Sequence, residues 1–256
     1  MARYISDFGG TPREYASVMT QRYYCEEPIV PPKVVLTGSE ANHFMKVMRG
    51  KIGEKVVVFD GRGVEYDAVV ISTKRHGVVL NVTAVHAVDR ELPTRLIVAV
   101  PLPKGDRQRW LVEKAVELGV TSFVPLRTRR SIAQPRSETL PRFRRWVVEA
   151  SKQCGRNKLM EIEEPRDWEE FLETTPNSAN RLLADSGGEW QISGSLFHAS
   201  PIYLAVGPEG GFTAEEIASA RERGWRPISL GPRILRVETA VLALAAIISR
   251  AVVETQ

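Results

Sequence analysis

The stretch that decides the fold is Ile202-Tyr-Leu-Ala-Val206, then Gly207-Pro-Glu-Gly-Gly-Phe212, then Thr213-Ala-Glu-Glu-Ile-Ala-Ser-Ala-Arg-Glu-Arg223. The apolar run Ile202 to Val206 is bounded by turn residues, which predicts a buried strand. Thr213 with Glu216 three residues on is a capping box, so a helix is expected over Thr213 to Arg223. Between them, Gly207, Pro208, Glu209, Gly210 and Gly211 make a tight loop whose backbone can approach a ligand closely. A strand that runs directly into a helix is the repeating unit of a parallel sheet, so the fold class is α/β. Such sheets bind ligands at the carboxyl ends of their strands. No Lys-Ser/Thr pair follows the glycines and no G-x-G-x-x-G occurs, which excludes a phosphate loop and the dinucleotide fingerprint. Spacing alone leaves a ligand loop and an ordinary glycine-rich turn as equal alternatives.

Working outward, the same alternation continues. Strands are expected at Leu96–Val100, Val120–Val124, Arg181–Ala184 and Ile228–Leu230, and helices at Asp106–Leu118, Pro141–Cys154, Asp167–Thr174 and Thr239–Val253. A second motif, Leu230-Gly-Pro-Arg-Ile-Leu-Arg-Val-Glu-Thr-Ala240, joins the last strand to the last helix. Glu238 or Thr239 as a helix cap explains one residue of it and leaves Arg233 and Arg236 over. Upstream of Val88 the pattern is different. Short alternating strands at Lys55–Asp60, Val64–Ser72 and Gly77–His86, with one helix over Ser39–Arg49, predict a small β-barrel. The expected organisation is an extension over 1–19, a barrel over 20–90 and an α/β domain over 91–256.

The 256 residues carry a net charge of +4, unevenly spread. Residues 104–158 hold 14 Lys/Arg against 5 Asp/Glu, and residues 159–256 hold 8 against 15. A cationic block beside an acidic remainder fits a surface that meets a polyanion, and it fits a solvated helix face as well. Two distant cysteines, Cys25 and Cys154, form no disulfide framework and suit a cytoplasmic protein. No apolar run has the length of a membrane span. His43, His76, His86 and His198 lack ligand spacing, so no metal is expected.

The two long motifs make a resemblance specific. Gly207-Pro-Glu-Gly-Gly-Phe-Thr213, Leu230-Gly-Pro-Arg-Ile-Leu-Arg236 and Glu238-Thr-Ala240 resemble the 16S ribosomal RNA uracil-N3 methyltransferases, a family of the knotted SPOUT class. Lys104-Gly105-Asp106, Glu113-Lys114, Glu117-Leu118-Gly119, Arg130-Ser131, Glu149-Ala150, Gln153 and Arg156 follow the same pattern. His43, Arg49 and Asp60-Gly61 resemble the family's PUA-like RNA-binding barrel. Val237 departs from a usual threonine, Leu159-Met160 stand where a proline is common, and residues 1–19 have no counterpart.

The resemblance implies a C-terminal trefoil-knotted SPOUT domain with a mostly parallel sheet, a homodimer, and S-adenosyl-L-methionine as cofactor. It assigns cofactor binding to Ala184 and Asp185, to Val206 through Gly211, and to Leu230, Gly231, Ile234, Leu235, Thr239 and Ala240. Arg236 and Glu238 are the catalytic candidates, Arg236 to hold a uracil oxygen or a phosphate and Glu238 to act as base or to pair with and orient Arg236. Arg49, Arg129, Arg130, Arg142, Arg145 and Arg156 are the expected contacts to 16S rRNA of the small subunit. The chemistry agrees with that residue set. N3 of uracil is protonated at neutral pH, so a base must take the proton and a cation must stabilise charge on O2 or O4. N3 is hidden in a base pair, so the uridine must be single-stranded or flipped. Methylation of a ribose 2′-hydroxyl by the same fold and a non-catalytic RNA-binding dimer stay open as alternatives.

Overall fold

The computed structural model describes residues 21–75, 77–189 and 200–254. The extension expected over 1–19, together with His76 and His198, lies outside the described residues. The chain divides into two compact units. One comprises the residues up to Arg90 together with Ser151–Leu159, and the other comprises Glu91–Ala150 with Met160 onward.

The first unit is a five-stranded sheet in the order β1-β3-β4-β5-β2. Its strands are β1 Arg22–Tyr24, β2 Lys33–Leu36, β3 Lys55–Phe59, β4 Glu65–Lys74 and β5 Gly77–His86. β1 pairs with β3 in parallel, and the other ladders are antiparallel. Register slips at Asp67/Ala68 and Val70/Ser72 bend β4. The sheet packs on one core containing Tyr23, Leu36, Phe44, Val56, Val58 and Leu80. The expected small barrel is this sheet; among the described residues β1 and β2 end the path without pairing with each other. The helix expected over Ser39–Arg49 is α1 Gly38–Asn42, which widens into a π-helical turn at His43–Val47. It stops there for a steric reason. Arg49 turns left-handed at φ 52°, and Gly50 lies so close to the buried Phe44 ring that a Cβ would sit 2.2 Å from it.

Ser151–Leu159 completes this unit, although the sequence reading placed it in the α/β domain. Lys158 bridges Arg62 in antiparallel fashion, and the Gly63 amide donates to the Asn157 carbonyl at 3.0 Å. Beneath them, the buried Glu65 carboxylate accepts from Arg22 at 2.7 Å and from Arg90 at 3.0 Å. Arg90 also donates to the Gly155 carbonyl at 2.9 Å, and Arg22 to the Asn157 side chain.

The second unit is a parallel sheet in the order β12-β10-β11-β6-β7-β8, with β9 also on β7. Its strands are β6 Leu96–Val100, β7 Ser122–Arg127, β8 Glu161–Ile162, β9 Arg166–Asp167, β10 Asn180–Glu189, β11 Ile202–Val206 and β12 Arg226–Ile228. Its helices are α2 Arg107–Glu117, α3 Leu140–Cys154, α4 Trp168–Thr174, α5 Ala214–Glu222 and α6 Val237–Glu254, with the last residues of α3 belonging to the first unit. Every ladder is parallel, and β6 is buried along its whole length, as a central strand covered on both faces must be. Two strands take in prolines that lie outside their expected bounds. Pro125 lies inside β7 where its outer partner changes from β8 to β9, and Pro227 lies on the edge strand β12, where a missing donor is tolerated.

Candidate active site

Three strand ends define the site. In the ladders of the second unit, Ala184 of β10 pairs with Val206 of β11 on one side and Ile228 of β12 on the other. The three loops singled out from sequence therefore leave the same edge of the sheet at adjacent positions. β10 bulges there, since Ile228 pairs with both Ala184 and Glu189. Asp185, Ser186 and Gly187 make the bulge, and Gly188 closes it against β12, where a Cβ would sit 2.6 Å from the Ile228 amide nitrogen. Gly188 was not singled out from sequence, because nothing local marks a glycine that answers a distant backbone.

The glycine loop is built to leave backbone exposed. Pro208 and Phe212 are buried and anchor it, while Glu209 and Gly210 face outward. At Gly207 a Cβ would meet Phe212 at 3.0 Å, so any side chain there would have to push the loop off that ring by a few tenths of an ångström. Gly211 at φ +67° and Gly231 at φ +95° hold left-handed backbone with nothing within 4 Å of where a Cβ would stand. Leu230 is half-buried, and Ile234 is 93% exposed. Thr239 is exposed and Ala240 half-buried in the first turns of α6.

Helix α6 begins at Val237, two residues earlier than expected, so Glu238 and Thr239 lie inside it and neither is its cap. Glu238 has another partner. Its side chain is 7% exposed, and Oε1 accepts from Arg107 Nη1 at 3.3 Å. Its second oxygen, Oε2, is buried with no hydrogen-bond partner. A buried unpaired acceptor costs about 1–3 kcal/mol, which sets Oε2 apart from the other carboxylate oxygens of the site. Arg236 stands just before α6; it is exposed and has no side-chain partner among the described residues. The expected pairing of Arg236 with Glu238 is therefore replaced by Arg107, which also meets Glu209 at 3.5 Å. Sequence reasoning missed Arg107, although it directly follows Lys104-Gly105-Asp106.

The basic residues separate into groups. Arg130 donates to the Gly210 carbonyl at 2.7 Å and lays its methylenes beside that glycine, so it braces the glycine loop. Arg129 is fixed through its amide, which donates to Glu216 at 2.9 Å; the other oxygen of Glu216 accepts from the Thr213 amide in the capping box. Arg142 and Arg145 are exposed, one turn apart on α3, opposite the buried Leu140, Phe143 and Val147. Arg142 lies 5.0 Å from the Trp146 ring and donates to Gln108. Trp110 is exposed, while Trp168 is buried. In the first unit Arg49 is exposed. Arg156, also expected to contact RNA, is 4% exposed, unlike the other five arginines of that set. Among the described residues no cluster of His, Cys, Asp and Glu has the geometry for a metal ion, and no helix is long and apolar enough to cross a membrane.

Comparison with known proteins agrees with this architecture. A family model described as an RNA methyltransferase domain matches residues 90–249, and one described as an RNA methyltransferase PUA domain matches residues 36–83. Ribosomal RNA small subunit methyltransferase E of Synechocystis sp. is 34% identical over 229 residues, covering 86% of this chain and 74% of that protein. The Bacillus subtilis protein of the same name is 31% identical over 244 residues, covering 89% and 95%. The crystal structure of ribosomal RNA small subunit methyltransferase E from Neisseria gonorrhoeae bound to S-adenosyl methionine superposes with a TM-score of 0.82 at 29% identity, covering 89% of this chain and 96% of that one. With both units matched, in order and over most of their length, the chain belongs to the ribosomal RNA small subunit methyltransferase E family.

Proposed function

We propose that this protein methylates N3 of a uridine in 16S ribosomal RNA, using S-adenosyl-L-methionine, as a cytoplasmic homodimer whose C-terminal unit is threaded as a trefoil knot. The observation that carries the proposal is the convergence of three parallel strand ends on a glycine cradle beside a buried carboxylate with one unpaired oxygen. The residues fit the cofactor. Gly211 and Gly231 present open backbone to a flat ligand, and Asp185 and Glu209 offer acceptors for its hydroxyl and ammonium donors. When bound, the cofactor supplies an electrophilic methyl group on a sulfonium.

The chain supplies the rest. Glu238 is the base, and its free Oε2 accepts the N3 proton as the uracil becomes nucleophilic. Arg236 is exposed and has no competing carboxylate among the described residues, so its planar fork is free to hold a uracil oxygen where negative charge develops. Arg142 and Arg145 on α3, and Arg49 on the first unit, supply cations for phosphates.

The test is methylation of 16S rRNA, naked and within the small subunit, with tritiated cofactor, followed by nucleoside mass spectrometry. Formation of 3-methyluridine, lost in a strain lacking the gene, is the expected result. A 2′-O-methylated nucleoside would reassign the target atom, and RNA binding without any methyl transfer would reduce the protein to a binding module. Arg236→Ala should lower the single-turnover rate by about 10²–10³ while leaving calorimetric cofactor binding in place.

A further inference from the structure

Two carboxylates of the site share one cation. Arg107 is the first residue of α2, and its guanidinium faces Glu209 through Nη2 at 3.5 Å and Glu238 through Nη1 at 3.3 Å. Glu209 belongs to the loop after β11, and Glu238 lies in the first turn of α6. One side chain thus ties the loop assigned to the cofactor to the carboxylate assigned to the base. We infer that Arg107 is a positioning residue that couples the two: through Glu209 it holds the cofactor loop, and through Oε1 of Glu238 it aims the unpaired Oε2. The inference rests on Glu238 acting as the base.

Three observations carry it. Glu238 is buried with one oxygen held and one oxygen unpartnered, so the bond to Arg107 decides which way the free oxygen points. Arg107 is half-buried and forked, and its planar guanidinium offers each carboxylate a separate nitrogen in fixed geometry, which a single ammonium nitrogen does not. Arg236, the nearer arginine in sequence, makes no ion pair with Glu238. The bland alternative is that Arg107 only fastens α2 to α6. That role would cost stability and would leave its kinetic effects independent of Glu238.

A double-mutant cycle on the full-length protein separates the two. Cofactor affinity is measured by calorimetry, the methylation rate by single turnover at saturating cofactor and RNA, and folding by thermal melting. Glu209→Gln should weaken cofactor binding several-fold, with the loss falling on KM. Glu238→Gln should slow turnover by about 10² or more, the magnitude of a lost base. Arg107→Ala should do both, weakening binding several-fold and slowing turnover by about 10², as for a reacting group displaced by a fraction of its length. The decisive variant is Arg107→Ala combined with Glu238→Gln: it should be no slower than Glu238→Gln alone, because the arginine acts through that carboxylate. Arg107→Lys should recover part of either loss and not both in full. If Arg107→Ala does not fold, Arg107→Gln takes its place. Losses that multiply in the double variant, or a wild-type rate and affinity in a folded Arg107 variant, overturn the role of Arg107. A wild-type rate in Glu238→Gln overturns the assignment of the base itself.

Discussion

Gly231 turns the loop between β12 and α6, which we propose lines the cofactor pocket. Its φ of +95° is open to glycine and strained for any L side chain, and nothing stands within 4 Å to clash with a Cβ. Gly231→Val should therefore cost about 1–2 kcal/mol in backbone strain, and it should also fill the cradle. Calorimetry is expected to show cofactor binding weakened by more than tenfold in a protein that still melts cooperatively; unchanged affinity would place the pocket elsewhere. Gly210 is a poorer probe than its motif suggests, since a Cβ there meets only Arg130 methylenes at 3.4 Å. Glu65 sets a different single-residue test. Burial alone would raise its carboxyl, but hydrogen bonds from Arg90 and Arg22 outweigh burial and hold it below the ordinary carboxylate range. A carboxyl depressed in the folded state contributes stability above its unfolded pKa of about 4.3 and loses it as pH falls through the folded value. Glu65→Gln should lower stability near neutrality by about 3–5 kcal/mol, because Arg22 is left buried without its countercharge. The stability difference between wild type and variant should shrink below pH 4, and denaturant melts across pH 3–7 would show it.

At the scale of elements, the sequence was most legible where chemistry is local. The strand Ile202–Val206 and the capping box of Thr213 with Glu216 stand in the structure as their residues foretell. The second role of Glu216, receiving the Arg129 amide, was not legible, because it joins positions 87 residues apart. Arg107 was hidden for the same reason: its carboxylates lie on the loop after β11 and in the first turn of α6, and only the sheet brings them to it. The bond from Arg130 to the Gly210 carbonyl was not legible either, because it joins positions 80 residues apart. The helix α3 keeps Arg142 and Arg145 free of buried duties, so they are the better probes of RNA contact. Reversing both to Glu should weaken RNA binding and flatten the plot of log affinity against log salt by about 1–2, one part for each phosphate contact removed. An unchanged slope would turn that face of α3 away from RNA.

Across the whole molecule, the unit boundary is not a single cut in the chain. Ser151–Leu159 belongs with the N-terminal sheet, where Asn157 and Gly155 meet Arg22 and Arg90. A fragment ending at residue 93 keeps every strand of that sheet and loses these partners, so it should melt broadly and at lower temperature than the same unit in the intact chain. Circular dichroism of the fragment, with and without a 151–159 peptide, would measure the deficit; a sharp melt without the peptide would mean the sheet stands alone. The detour also imposes an order in time. During synthesis the ribosome must extend the chain from Arg90 to Leu159 before the first-made unit can be sealed. At about 5–20 residues per second, that delay lasts several seconds, a long interval for a sheet with charged groups awaiting burial. The unit begun first is thus finished only after much of the second has emerged. Nascent chains stalled shortly before Asn157 clears the exit tunnel should yield to protease in the N-terminal sheet, and chains stalled beyond it should resist.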